Sequence, residues 1–391
     1  MTGALDGLKI LDLSRILAGP TCTQILGDLG ADVIKIENPA TRGDDTRAWG
    51  PPFIRDADGN PTDLSAYFNA ANRNKRSVAI DIATDDGQAV VRHLAKQADA
   101  VVQNFKPGGL AKFGLDYASL RPGNPGLVYC SISGFGQTGP NAHKPGYDLM
   151  AQGFGGIMSL TGEPDGQPMK VAVGIADVMC GMYAAVGILA ALRHRDLTGE
   201  GQEIDLALVD TQVAWLINEG TNFLTSGEVP VRRGNSHPNI APYQVYRARD
   251  GHVIVAVGND RQFARFCTFL GLEDLVADQR FRTNPARLDH RDALNAFLEP
   301  ALGELSVDAI IEGLEAVGVP AGPVNTLDRV FASSQVQARD MAISMHSQST
   351  GTDIPLIGNP LKLSATPVSY RRAPPAFGQH TDDVLSAPSW G

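Results

Sequence analysis

The sequence predicts an α/β protein: a doubly wound parallel sheet with a smaller α+β domain. Three observations carry this. Strand and helix patterns alternate through the first 140 residues, the chain is 391 residues long, and its texture changes near Thr225. Strand, helix, strand in succession implies parallel βαβ units. Hydrophobic residues at 43% and charged residues at 19% are the proportions of a folded core rather than a disordered chain.

Leu8–Leu13 reads as the first strand. Ala18-Gly19-Pro20 opens a helix to about Leu29, with proline in the first turn, where its missing N–H costs nothing. Asp32–Glu37 is a strand, then Ser77–Ile82 a strand, Asp86–Gln97 a helix, and Ala100–Asn104 and Gly126–Ser133 strands. Ligands in such sheets sit beyond the carboxyl ends of the strands. Those ends are Ser14–Pro20, Glu37–Thr46, Asn104–Gly109 and Ser133–Gly139. Asp177–Arg195 reads as a long helix rich in glycine and alanine, closing near Gly199, a C-cap type of residue. Glu203–Leu208 is a further strand. After the polar loop Arg232–Asn239, Tyr243–Arg247 and His252–Val257 are joined by Arg249-Asp250-Gly251, a hairpin signal, and Gln262–Leu270 is helical. The tail beyond Pro355 is proline-rich and irregular, and is expected to return to the first domain.

A net charge of −10 argues against a nucleic-acid surface. No apolar run approaches the ~20 residues that span a bilayer, and Met1–Lys9 lacks a signal-peptide pattern. Cys22, Cys130, Cys180 and Cys267 are scattered, which fits free thiols in a cytoplasmic protein. There is no GxxxxGK[ST], no GxSxG and no metal-ligand spacing, so P-loop, serine-hydrolase and metal chemistries have no motif behind them.

The acidic residues of Leu160–Pro168 and Val173–Asp177 are the best candidates for chemistry. Pro164 and Gly166 put Asp165 on a turn. It is either an ordinary surface turn residue or a carboxylate held out as a nucleophile. The basic run Asn72–Ser77 is either a solvated turn or a phosphate contact. Asn104–Gly109 and Lys112 lie at a strand end, where a ligand is expected.

Ser14–Pro20 and Gly30–Glu37 closely resemble the opening of the class III CoA-transferases, a family that includes formyl-CoA, carnitine-CoA and dicarboxylate CoA-transferases and the α-methylacyl-CoA racemases. Gly43–Arg47, Asn72–Ser77, Asn104–Gly108, Ser133–Gly136, Thr198–Gln202, Gly358–Pro360 and Gly378–Thr381 match as well, in order along nearly the whole chain. The resemblance implies interlocked homodimers and a Rossmann-like large domain built from both ends of the chain, 1–200 and 330–391. It implies linkers at 201–224 and 316–329, and a small domain at 225–315. It implies that CoA is a substrate, with no permanently bound cofactor. CoA contacts would fall on Leu17, Ala18, Asn38, Ile80, Asp81, Ile82, Asn104, Phe105, Lys106, Lys112, Ser133, Gly134, Phe135 and Gly136. Asn38 stands where some members carry Arg, and Ser133 where some carry Lys. The nucleophile would be Asp165, with oxyanion donors from Gly134, Gly136 and the loop around Asp165. A glycine-rich lid in some members corresponds to Ser236–Ile240, which lacks the glycine run; it either offers His237 and Asn239 to a substrate carboxylate or leaves His237 as a plain loop residue.

The resemblance divides between two chemistries. The racemases need an acid/base group on each face of the α-carbon. Their Gly-His-Asp segment reads Gly146-Tyr147-Asp148 here, which replaces imidazole by a phenol, and Asp177 alone cannot serve both faces, so its expected role is helix capping. The transferases need one carboxylate. Asn235–Pro238, Pro242–Gln244 and Gly258–Phe263 are most similar to members acting on dicarboxylates with succinyl-CoA or related donors. The expected function is therefore CoA transfer from an acyl-CoA to a carboxylic acid through an aspartyl anhydride and an aspartyl-CoA thioester. The alternatives are a racemase and an inactive CoA-binding homologue.

Overall fold

A computed structural model describes residues 3–386 and Trp390. The remaining terminal residues of the expected large domain (1, 2, 387–389 and 391) lie outside the described residues. The chain forms two compact units. The first holds residues up to Ile157, Lys170–Leu216 and the chain from Ser334 onward; the second holds Met158–Met169 and Ile217–Ser333.

The first unit is built on six strands: β1 (Lys9–Asp12), β2 (Asp32–Glu37), β3 (Lys75–Ala79), β4 (Ala100–Gln103), β5 (Val128–Ser133) and β6 (Glu203–Ala207). Their order across the sheet is β3-β2-β1-β4-β5-β6, and every pairing is parallel. β1 pairs β2 from Lys9 opposite Asp32, and β4 from Ile10 opposite Ala100. The strand order reverses between β1 and β4, and such a switch point opens a crevice at the strands' carboxyl ends. Side chains alternate faces along a strand. Ile10, Val33, Val102 and Cys130 thus pack on one side with helices α1 (Ala18–Asp28) and α4 (Ile175–Thr198). Leu11, Ile34, Val101 and Tyr129 pack on the other with α2 (Asp85–Gln97) and Trp390. Helix α3 (Asp148–Phe154) lies between α2 and α4 in the chain.

Helix α4 abuts α1 through Gly181, where a Cβ would meet the Ala18 carbonyl at 2.6 Å. It closes on Gly199, whose φ of 79° lets its N–H reach the Arg195 carbonyl. An 18-residue window of α4 has a mean hydropathy of 1.9, apolar enough to cross a membrane by composition. That corrects the expectation that no run comes near this length. The charged residues gather at the helix ends, and half of the window is buried inside the protein.

The second unit carries an antiparallel sheet of β7 (Tyr243–Arg247), β8 (His252–Ala256) and β9 (Ala321–Pro323). Val253, Val255, Phe263, Phe266, Leu298 and Leu314 form its core. Two boundaries differ from the expected division. Residues 316–329 are not merely a linker, because β9 pairs β8, and 201–224 contributes β6 to the six-stranded sheet. Met158–Met169 belongs with the second unit. There the Gly162 carbonyl accepts the Gly234 N–H at 3.1 Å, and the Arg232 guanidinium donates to the carbonyls of Glu163, Pro164 and Gly166.

Candidate active site

A cleft of ≈ 620 Å³ lies at the carboxyl ends of β1 to β5. The residues expected to contact CoA converge on it from separate loops. Leu17 and Ala18 follow β1, Asn38 follows β2, and Ile80, Asp81 and Ile82 follow β3. Asn104, Phe105, Lys106 and Lys112 follow β4, and Ser133 and Gly134 end β5 and begin its loop. Two expected contacts are not in the lining. Phe135 turns away and stacks edge-on against Phe154, with ring centroids 5.1 Å apart. Gly136 spends its N–H on the Ser133 hydroxyl at 3.0 Å, so it is not available as an oxyanion donor.

The basic run that leads into β3, with Lys75 and Arg76 inside the strand, follows neither sequence reading. Arg73, Lys75 and Arg76 are buried, and each pairs internally: Arg73 with Asp28 at 2.6 Å, Lys75 with Asp12 at 3.2 Å, and Arg76 with Asp32. They hold the sheet together and are absent from the cleft lining.

The two acidic candidates have different surroundings. Asp165 is exposed, on a Glu163–Gly166 turn of the second unit, whereas the cleft is lined by residues of the first. Arg232 braces that turn through backbone carbonyls. Asp177 lines the cleft itself. It does not cap α4, as the sequence suggested. It is the third residue of the helix, and the Ala176 N–H goes instead to Asp148 Oδ1 at 2.8 Å. The other Asp148 oxygen accepts from Gln152 Nε2 at 2.7 Å, and Gln152 Oε1 accepts the Val171 N–H at 2.8 Å. This chain of hydrogen bonds fixes the entry to α4.

Burial, with the charge of Asp148 beside it, pushes the Asp177 carboxyl up to about 7. A desolvated carboxylate of raised basicity is a better nucleophile than a solvated one. Burial also raises the Tyr67 phenol, and the charges of Asp177, Asp148 and Asp44 add to that rise, so a neutral hydroxyl shares this environment. Tyr67 stacks edge-on with Trp49 at 5.1 Å. The Tyr147–Asp148 segment is brought to the end of β5 by Gly134 and Gly146. A Cβ on either would strike the other's backbone, so only two glycines allow the approach.

The lid residues His237 and Asn239 belong to the second unit. His237 Nδ1 accepts the Asn239 N–H at 3.1 Å, which leaves the ring proton on Nε2. Its ring packs against Tyr243, and its carbonyl accepts from Arg291 at 2.7 Å.

Comparison with known proteins agrees with this architecture. The model for CoA-transferase family III matches residues 5–381. The chain belongs to that family. It is 49% identical to a succinate–glutarate CoA-transferase of Agrobacterium fabrum, over 98% of this chain and 95% of the relative. It is 39% identical to a succinyl-CoA:glutarate CoA-transferase of Mus musculus, over 97% and 85%. A CAIB/BAIF family protein from Brucella suis superposes with a TM-score of 0.87 at 48% identity, over 99% of both chains. The chain is thus a family III CoA-transferase, which acts on CoA thioesters.

Sequence reasoning named Asp148 without giving it a role, and assigned Asp177 a capping role that the helix does not use. A signal was present: Asp177 stands in the first turn of an apolar helix directly after a glycine-containing loop, where a carboxylate meets both the helix N-terminus and whatever cleft faces it.

Proposed function

We propose that this chain moves CoA from succinyl-CoA, or a related acyl-CoA, to a dicarboxylic acid, with Asp177 as the nucleophile. One observation carries the choice of residue: of the buried carboxylates lining the cleft that gathers the CoA-contact loops, Glu37 and Asp44 are ion-paired to Arg47 and Lys35 and held low, whereas the Asp177 carboxyl is pushed up to about 7. An Asp177 oxygen attacks the donor thioester carbonyl and expels CoA thiolate, leaving an aspartyl anhydride. The thiolate attacks the aspartyl carbonyl, which releases the donor acid and leaves an aspartyl-CoA thioester. The acceptor carboxylate then attacks that thioester carbonyl and again expels thiolate. The thiolate attacks the acceptor's carbonyl in the new anhydride and regenerates the Asp177 carboxylate. One CoA moves, and no proton or electron is gained or lost overall. The dicarboxylate class is supported by the names of the relatives.

The test is a panel of acyl-CoA donors and carboxylic acids, with CoA esters read by mass spectrometry and the adduct mapped by peptide. The expected adduct lies on the peptide carrying Asp177. An adduct on the Asp165 peptide, or turnover confined to monocarboxylates, would refute the corresponding part.

Lys106 and Lys112 are exposed cations on the cleft lining, in a chain whose net charge of −10 repels CoA phosphates. Losing a charge-assisted hydrogen bond costs about 1.5–3 kcal/mol. At ~1.4 kcal/mol per decade, the double alanine variant should raise KM for acyl-CoA about tenfold to a hundredfold. The acceptor KM should move much less. An unchanged acyl-CoA KM would leave these lysines as solvated charges.

We also infer an interlocked homodimer. The exposed apolar side chains of α4 (Met182, Tyr183 and Val186) and of α3 (Leu149, Met150 and Phe154) support it, since contiguous apolar surface of this kind marks an interface. Light scattering should report a dimer, and a stable active monomer would refute it. Four buried free cysteines support a reducing, cytoplasmic compartment.

A further inference from the structure

We propose that Asn104 and Asp44 are positioning residues for acyl-CoA binding: they hold Ile16 in a left-handed backbone conformation and so fix the Ser14–Leu17 loop at the mouth of the cleft. The inference rests on the reading of the cleft as the acyl-CoA site.

Ile16 has a φ of 73°. A branched side chain avoids this region, because its Cβ crowds the following carbonyl, so the conformation persists only where the surroundings impose it. The surroundings do so through side chains from elsewhere in the sheet. The Ser14 N–H donates to Asp12 Oδ1 at 2.9 Å, and the Ser14 carbonyl accepts from Lys35 Nζ at 2.7 Å. The Arg15 N–H donates to Asn104 Oδ1 at 3.0 Å, and Asn104 Nδ2 donates back to the Arg15 carbonyl at 2.7 Å. The Ile16 N–H lies 3.1 Å from both oxygens of Asp44. Asp44 is itself held by Lys35 Nζ at 2.9 Å and by the N–H and hydroxyl of Thr46 at 3.0 and 2.8 Å.

Five consecutive backbone groups are therefore satisfied by four side chains of β1, β2 and the loops that follow β2 and β4. A surface loop with no geometric duty uses water for this. Helix α1 starts directly afterwards, and its N-cap, Leu17, contributes no side-chain cap. The loop thus sets where the free N–H groups of the first turn point, and Leu17 and Ala18 line the cleft. The Asn104 amide uses both its oxygen and its nitrogen on Arg15. Its effect on a ligand is transmitted by the loop, which differs from the direct CoA contact that the family resemblance implied.

The test is a mutant cycle on the full chain, with succinyl-CoA as donor, reading KM, kcat and Tm. Asn104→Ala should raise KM about tenfold, as loss of two hydrogen bonds predicts, with kcat changed less than about twofold. Glycine adopts positive φ without penalty. In the Ile16→Gly background the Asn104→Ala effect should therefore shrink to about threefold or less. In the Ile16→Val background, which keeps the branched Cβ, it should remain about tenfold. Asp44→Asn should follow the same pattern, and the Asn104 series decides the matter should that variant fail to fold. An equal penalty in the glycine and isoleucine backgrounds would indicate direct ligand contact and overturn the proposal. So would a fall in Tm with KM unchanged. A wild-type chain that binds no acyl-CoA at all overturns the cleft reading and this inference with it.

Discussion

Asp177→Ala should abolish CoA transfer, by at least about 10³-fold in kcat, while Asp165→Ala should leave turnover within about threefold of wild type. The difference follows from surroundings rather than from residue type. Both are aspartates beside glycine-containing loops, but one is exposed on a braced turn and the other lines the cleft with its carboxyl pushed up to about 7 by burial and Asp148. The nucleophile is the ionised form, so kcat/KM for acyl-CoA should rise with pH through about 7. Asp148→Asn removes the lesser cause of the shift and moves this limb to lower pH. Burial remains, so the limb does not return to the ordinary carboxylate range. Stability carries the opposite sign. The folded chain keeps a proton on Asp177 that the unfolded chain releases between about pH 4 and pH 7, so this residue makes stability fall as pH rises through that window. Asp177→Asn should accordingly melt higher than wild type at pH 8 and show no such gain at pH 4. Full activity in a verified Asp177→Ala protein would refute the assignment.

The strands were legible because each carries a short cluster of apolar residues between turn signals: Asp32–Glu37 falls where the sequence puts it, and β1, β4 and β5 shift by one or two residues at their ends. Strand β3 starts at Lys75 rather than Ser77, and the reason is electrostatic. Arg73, Lys75 and Arg76 look like a solvated basic run until their partners Asp28, Asp12 and Asp32, 44 to 63 residues away, are brought against them. Charge identity in a sequence does not reveal pairing across that distance. The cleft loops were legible because a parallel sheet dictates where ligands lie. The burial that sets Asp177 apart from Asp165, on which the proposed assignment rests, was not legible, because turn chemistry reports local conformation and desolvation is a property of the whole fold.

Arg47→Ala should destabilise the first unit by about 3–5 kcal/mol, the cost of leaving a buried carboxylate unpaired, and lower Tm by on the order of 10 °C. The Arg47 guanidinium holds Glu37 at the end of β2 with two bonds, Nε to Oε2 at 2.9 Å and Nη2 to Oε1 at 2.7 Å. It also donates twice to the Pro375 carbonyl at 3.1 Å and lies 3.8 Å from the centre of the Phe68 ring. One side chain thus ties the C-terminal tail to the floor of the cleft, where Glu37 further accepts from Ser77 Oγ at 2.6 Å and from the Asp44 N–H at 2.9 Å. Burial pushes the Glu37 carboxyl up, but Arg47, Lys35 and Ser77 more than offset this, and it is held below its ordinary value. A depressed carboxyl contributes stability above its unfolded pKa and loses it as pH falls. Without Arg47 that contribution reverses, because the buried Glu37 gains from taking up a proton. The deficit of Arg47→Ala should therefore be larger at pH 8 than at pH 5. Adding Glu37→Gln removes the unpaired charge, and the double variant should melt above Arg47→Ala alone at pH 8, since the two changes act on one pair and are not additive. Equal melting of single and double variants, or a deficit independent of pH, would mean that Arg47 acts only through the tail and Phe68.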